Sequence, residues 1–343
     1  MTGGGVPKVV FRLGLLLLGT AMVVAALFTW HYRDFLATPL AIDEQGLVIE
    51  LPRGAGLRTL SDDLATRGLI DSPDLLVLHG RLSGLDTALK AGEYRLEPGL
   101  TPPALLTLLS SGQVMLHSLT LVEGWTFAQA LAAVRAKPEL TATLEGLDTD
   151  AVMERLGMSG AHPEGRFFPD TYHFPRGTTD LEFLRRARDT LTSVLDRAWE
   201  ARVEGLPYTD AYQALVLASI VEKETSVPEE RPEVAGVFVR RLHKGMRLQA
   251  DPTVIYGMGD AFDGNLRRRD LRADTPYNTY TRHGLPPTPI ALSGRGAIEA
   301  ALNPAAGKAL YFVATGDGRH VFAETLAEHE ANVRRYQLKG RRG

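Results

Sequence analysis

The sequence contains no cysteine. Disulfides, zinc–thiolate sites and a cysteine nucleophile are excluded at once. The compartment is not, because a cysteine-free chain is stable in either redox environment. A dominant charge is also missing: 38 Lys and Arg against 41 Asp and Glu leave a net charge of −3, which gives no sign of nucleic-acid binding. There is no G-x-x-x-x-G-K-[ST] loop and no G-x-G-x-x-G after a strand, so the phosphate-cradling signatures of nucleotide sites are lacking. No G-x-S-x-G elbow is present. The nine histidines are scattered without H-E-x-x-H or a comparable zinc spacing, and His283, His320 and His329 read as structural or exposed rather than as ligands. No metal or organic cofactor is expected.

What is present begins with one long apolar run. Lys8 and Arg12 are followed by Leu13 to Tyr32 without Asp, Glu, Lys or Arg, about the length that crosses a bilayer core as a helix. Positive residues before it, and no acid until Asp34, place the N-terminus in the cytoplasm and the remainder outside. The run ends in Leu27-Phe28-Thr29-Trp30 rather than in small residues, which favours an uncleaved anchor over a signal peptide. After a short connector, strand, turn and helix patterns recur. Strands are expected at 47–51, 92–96 and 118–122, and helices at 57–67, 73–82, 102–110 and 127–134, with Thr101 and Thr126 at N-cap positions. Glu164 to Tyr172 carries three aromatics around a Pro-Asp turn, either a hydrophobic latch or part of a binding groove, with the latch preferred. A long amphipathic helix over 181–203 precedes Pro207. Loop-rich segments are expected at 249–256 and 275–290, then a short helix at 297–302, a hairpin over 310–322 and a closing helix over 324–336.

The centre of the chain is Leu215 to Thr225, an apolar helix that ends in two acids, with Thr209 and Asp210 placed to cap its start. At about 100° per residue, Ala211, Ala214, Leu215, Leu217, Ala218 and Val221 share one broad face. Glu222 falls on that buried side, Lys223 points to water, and Glu224 lies at the edge beside Leu217 and Ile220. A carboxyl pressed against an apolar wall has its ionised form disfavoured, which prepares a general acid. The plainer alternative is a charged helix end in water. The flanking loops are rich in Asn, Gln, Thr and Tyr. Amide and hydroxyl groups of this kind hydrogen-bond sugar hydroxyls, and aromatic rings lie against a sugar's apolar face. Glycosidic hydrolysis normally takes a second carboxylate across the bond. Glu224 faces elsewhere on the helix, and Asp251 is equally suited to a turn beside Pro252, so a one-carboxylate mechanism gains weight.

These segments resemble the YceG-like endolytic murein transglycosylases (the MltG family). The resemblance is carried by Leu217 to Thr225, Arg247 to Tyr256, Tyr277-Asn278-Thr279-Tyr280, Gly284 to Pro287 and Glu164 to Tyr172, with Tyr311-Phe312-Val313, His320, Phe322 and His329 near the end. It departs at Thr288, where Gly is common, and at Ser293, where Pro usually precedes the Gly. The resemblance implies an α+β chain: cytoplasmic tail 1–12, transmembrane anchor 13–32, linker 33–45, a small LysM-like α/β module at 46–120, a mixed α+β catalytic domain at 121–338 and a basic tail at 339–343. It further implies internal cleavage of the MurNAc-β-1,4-GlcNAc bond to 1,6-anhydroMurNAc ends, limiting nascent strand length at the cytoplasmic (inner) membrane. Glu222 matches the catalytic acid, with Glu224 as the secondary candidate, and Gln249, Asp251, Thr253, Tyr277, Asn278, Thr279 and Tyr280 are the expected substrate-binding residues. Glycan strands and peptidoglycan synthases (penicillin-binding proteins) are the implied partners. Two rivals remain open: a non-catalytic murein-binding scaffold, and a muramidase-type hydrolase using Asp251 or Glu224 as second carboxylate. A pyridoxal-phosphate lyase, a label sometimes attached to this family, needs a Schiff-base lysine and a cytoplasmic substrate. The solvent-facing Lys223 and the anchor argue against it.

Overall fold

The computed structural model describes residues 8–338, so residues 1–7 of the expected tail and the expected basic tail 339–343 lie outside the described residues. The chain divides into two compact units, Met1–His117 with Pro175–Gly177, and Ser118–Phe174 with Thr178–Gly343.

The first unit comprises α1 (Lys8–Ala37), β1 (Leu47–Leu51), α2 (Leu57–Thr66), α3 (Pro73–Ser83), β2 (Gly92–Leu96) and α4 (Pro102–Ser111). Among the described residues α1 is the one helix long and apolar enough to cross a membrane, and Leu16, Leu17 and Trp30 on it are exposed. It runs beyond Tyr32 because its last turns serve the unit's own packing. Phe35 is buried in the core, and the Tyr32 hydroxyl meets His79 Nδ1 at 2.8 Å. β1 and β2 pair antiparallel, with Ile49 opposite Tyr94. Ile49 and Leu51 are buried while Val48 and Glu50 are exposed, the period of two that one covered face imposes. Leu57, Leu60 and Leu64 of α2 fill the same core. Thr101 stands at the N-cap of α4 but its side chain makes no capping bond.

β3 (Leu116–Thr120) leads into the second unit and pairs with β4 (Thr171–Pro175), not with β1 or β2. The third strand-turn-helix pattern in the sequence is therefore no part of the β1–β2 sheet. The helix after it, α5 (Phe127–Arg135), starts in a full capping box of Thr126 and Gln129. Then follow α6 (Thr149–Arg155), α7 (Asp180–Glu200), α8 (Ala211–Glu224), α9 (Arg231–His243), α10 (Asp251–Met258), α11 (Arg295–Leu302), the antiparallel hairpin β5 (Tyr311–Ala314) and β6 (His320–Ala323), and α12 (Leu326–Val333). The segment expected as a loop at 249–256 is largely α10. Pro252 sits in its first turn, where no N–H is needed and a fixed φ suits the helix. The closing helix is shorter than expected and passes into a π turn over Arg334–Leu338.

The core of the second unit is built on α8. Its residues Ala214 to Val221 are all buried, Ser219 included, because α7, α9, α10 and α11 pack around it. A helix covered on every side is buried all round rather than along one stripe. Phe167, Phe168 and Tyr172 are buried too, so the aromatic segment acts as the latch. Beside them Glu164 is 4% exposed; it accepts from the first N–H of α5, at Phe127 (2.9 Å), and from the Tyr256 hydroxyl of α10 (3.1 Å).

Candidate active site

α8 begins where Asp210 accepts the Gln213 N–H at 2.9 Å and ends in the Glu222-Lys223-Glu224 run. Midway, the buried Ser219 hydroxyl accepts the Ile290 N–H at 3.0 Å. That bond holds the proline-rich segment 284–294, the strap, against the helix and carries the chain on to its C-terminal end. There the Gly294 N–H donates to Glu222 Oε2 (2.9 Å), and Arg231, the first residue of α9, donates to Glu222 Oε1 (3.0 Å). The same guanidinium nitrogen reaches Glu123 Oε2 at 3.2 Å. The Glu222 side chain is 5% exposed. Burial pushes its carboxyl above the usual range, while the Gly294 N–H and Arg231 favour the ionised form. Glu222 is thus inward, as helical spacing predicts, but both its oxygens are engaged in a clamp joining α8, α9 and the strap.

Glu224 has the opposite setting. It lines a cavity of about 520 Å³ together with Arg241, Gln249, Asp251, Tyr280 and Tyr311, and among the described residues its carboxyl has no hydrogen-bond partner. Burial, and the neighbouring Asp251 charge, push it up to about 8, against the pull of Arg241. A carboxyl in that range is still largely protonated at neutral pH and gives up its proton readily.

Of the residues read as substrate-binding, the fold brings Gln249, Asp251 and Tyr280 into this cavity. The Tyr280 hydroxyl donates to Asp251 Oδ1. Gln249 has φ of 54°, the one positive value at a non-glycine among the described residues. Such backbone is sparsely populated by L-residues and concentrates at functional sites. The other four are placed elsewhere. Thr253 and Thr279 are buried and bond each other at 2.9 Å. Thr279 also accepts the Ala250 N–H. Asn278 is fully buried; its amide donates to the carbonyls of Asp270, Leu271 and Ala273, and its oxygen accepts the Tyr280 N–H. The Tyr277 hydroxyl meets Thr288 at 2.9 Å and its ring packs edge-on to Tyr256. These side chains satisfy loop backbone that the irregular chain leaves unpaired, and in doing so they shape the cavity wall rather than line it.

Arg241 carries no motif in the sequence, and Tyr311, His320 and His329 enter there only through the resemblance, the two histidines as structural or exposed. Arg241 is buried and forks onto the carbonyls of Leu310 (2.7 Å) and Leu248 (2.8 Å) and onto Gln249 Oε1 (3.2 Å). A signal existed: Arg241 lies four residues after Val237 and three after Phe238, on the inward face of α9. His320 Nδ1 meets Glu230 Oε2 at 2.8 Å. The His329 ring stacks on Tyr311 with centroids 5.2 Å apart. Among the described residues no group of His, Asp and Glu is arranged to hold a metal.

Comparison with known proteins finds relatives along most of the chain. Residues 49–335 match the model of the YceG-like family. A protein of Bacillus subtilis named "Endolytic murein transglycosylase" is 31% identical over 323 residues, covering 89% of this chain and 89% of the relative. One of the same name from Streptococcus pneumoniae is 29% identical over 88% of this chain, and the match spans 61% of that longer protein. A yceG-like protein of Listeria monocytogenes, known from a crystal structure, superposes with a TM-score of 0.52 at 29% identity, covering 84% of this chain and 99% of that one. With a family match over well more than half of its length, the chain belongs to the YceG-like family.

Proposed function

We propose that this protein is a lytic murein transglycosylase that cuts within glycan strands, with Glu224 as its acid. The observation that carries the assignment is the unbonded Glu224 carboxyl, pushed up to about 8, in one cavity with Gln249, Asp251 and Tyr280. The Glu224 carboxylic acid gives its proton to the glycosidic oxygen as the bond from C1 of MurNAc to that oxygen breaks. The resulting carboxylate then takes the proton of the C6 hydroxyl as O6 bonds to C1. No water is consumed, the product is a 1,6-anhydro end, and Glu224 returns to its protonated state. The names of the bacillar and streptococcal relatives support this activity. Glu222, the first choice from helical spacing, becomes the residue that holds the acid-bearing end of α8 in place through Arg231 and Gly294.

Asp251 in the same cavity favours a second reading, a hydrolase in which it serves as the second carboxylate. The experiment that separates them is mass spectrometry of fragments released from purified strands by the full chain in detergent micelles, with Glu224→Gln and Glu222→Gln alongside. Anhydro ends lost in Glu224→Gln support the transglycosylase and its acid. Reducing ends that take up labelled water oxygen point to the hydrolase. Binding without fragments from any form points to a scaffold.

The finer anatomy follows the same reading. α1 is the anchor, with Lys8 and Arg12 on the cytoplasmic side and the second unit outside the membrane. A LysM-like module lies within residues 46–120, ending before β3, and is supported by the antiparallel β1–β2 pair with α2 and α3 between its strands. Synthases that make the strand are the expected neighbours, which would couple cutting to synthesis and limit strand length.

A further inference from the structure

Tyr280 forms part of two cavities. One holds Glu224. The other, about 490 Å³, is lined by Arg247, Arg268, Arg272, Leu271, Tyr280 and Thr281, and no step of the proposed cleavage uses it. Its charge is unbalanced. Within the adjoining loop three of the acids already have an arginine: Asp263 pairs with Arg267 at 2.6 Å, Asp270 with Arg269 at 3.4 Å, and Asp274 with Arg282 at 2.8 Å. Arg247, Arg268 and Arg272 have no carboxylate partner among the described residues, and all three are exposed around the one cavity. Their backbones are held. The Arg247 carbonyl accepts from the buried Arg241, and the loop bearing Arg268 and Arg272 is pinned by the Asn278 amide on the carbonyls of Asp270, Leu271 and Ala273. Three guanidinium groups around a concave site of this size, with a Leu and a Tyr ring in its wall, suit an oxyanion carried on an otherwise bulky group.

We infer that this basic cavity is an anion subsite beside the cleavage site, which receives oxyanions borne by the glycan strand: carboxylates of the peptide stems that branch from it. The inference rests on the proposed glycan cleavage for its substrate, while the shared Tyr280 wall sets the subsite next to the acid. An alternative source of the same chemistry is the diphosphate at the lipid-linked end of a growing strand. In the stem reading, the strand lies past Glu224 while a neighbouring stem turns its carboxylate onto Arg247, Arg268 and Arg272. Charge-assisted bonds of this type contribute enough for about a tenfold change in affinity, and they weaken as salt rises because the arginines are exposed.

The test compares the full chain in detergent with a triple Arg247→Ala, Arg268→Ala, Arg272→Ala variant and its all-lysine counterpart. Binding and KM are measured on strands with intact stems, on strands stripped by an amidase, and on stripped strands ending in a diphosphate. The expected result is that wild type prefers stem-bearing strands, that the alanine variant loses about tenfold of that preference, and that lysine restores part of it. A loss confined to diphosphate-ended strands keeps the subsite and reassigns the oxyanion to the lipid-linked end. Equal affinities for wild type and the alanine variant on all three strands, with unchanged melting temperature, overturn the inference. Absence of anhydro ends from wild type on every strand would count against the proposed cleavage instead, and the binding arm still reads the arginines.

Discussion

Two acids two residues apart on one helix sit in two different chemical settings. Around Glu222 the protein supplies a guanidinium and a backbone N–H within 3.0 Å. Around Glu224 it supplies a cavity, a second carboxylate and, among the described residues, no hydrogen bond. Both carboxyls are pushed above their ordinary range by burial, so burial alone does not separate them. What separates them is availability: a carboxyl with both oxygens engaged is a structural clamp, and one with neither engaged is open to a substrate.

The largest expected effect tests that contrast directly. Glu224→Gln lowers the rate of anhydro-end formation by about 10²–10⁴-fold, the usual contribution of a positioned general acid, while Glu222→Gln costs about tenfold or less and lowers the melting temperature. The opposite ranking, with Glu222→Gln inactive at unchanged melting temperature, breaks the comparison. Next, Arg231→Met leaves Glu222 buried without its ion partner and costs on the order of 3 kcal/mol of stability, read from denaturant titration of the full chain in micelles. A double Glu222→Leu, Arg231→Met variant recovers part of that loss, and if it recovers none the clamp is not the source of the effect.

pH sharpens the other half. The Glu224 carboxyl is raised from 4.5 to about 8 in the folded chain. Between those values the unfolded chain has released this proton and the folded chain has kept it, so stability falls as pH rises through the interval and levels off above it. Glu224→Gln removes the dependence. It is expected to be more stable than wild type at pH 8, on the order of 2 kcal/mol, and equal to it below the ordinary carboxyl range. Catalysis runs the same way, because the acid form is lost above about 8 and the rate falls with it. A stability difference that is flat with pH would place Glu224 in water. The smallest effect concerns the loop. Asn278→Ala is expected to cost roughly 1–3 kcal/mol, since the buried amide and three partly buried carbonyls lose their bonds, with KM altered less than by Gln249→Ala. A large KM change at unchanged stability would return Asn278 to the substrate.

Much of this is legible in the sequence alone. The spacing of Leu57, Leu60 and Leu64, the alternation along β1, the hairpin around Gly316 to Gly318 and the Asp210 cap all follow from local rules. The loop chemistry was half legible. Asn, Thr and Tyr in a polar segment signal hydrogen bonding but not its direction, and in Thr253, Asn278 and Thr279 the partners are the chain's own carbonyls, amides and hydroxyls. α10 was hidden by Pro252, which marks a turn in one context and a first helical turn in another.

The choice between the acids lay outside local rules altogether. Helical periodicity assigns an inside and an outside, and it placed Glu222 inside correctly. α8, however, is covered on all sides up to Val221, so at its end inside no longer names one direction. Which acid meets an arginine and which meets a cavity depends on Arg231, Gly294, Arg241 and Asp251, drawn from α9, the strap and α10. The amino-acid order by itself determined a long apolar N-terminal helix, a capped apolar helix ending in two carboxyls, and a polar, hydroxyl- and amide-rich surround. Only the tertiary structure decided which carboxyl has its oxygens engaged, because the partners that bond Glu222 and raise Glu224 are brought there by long-range packing rather than by neighbouring sequence.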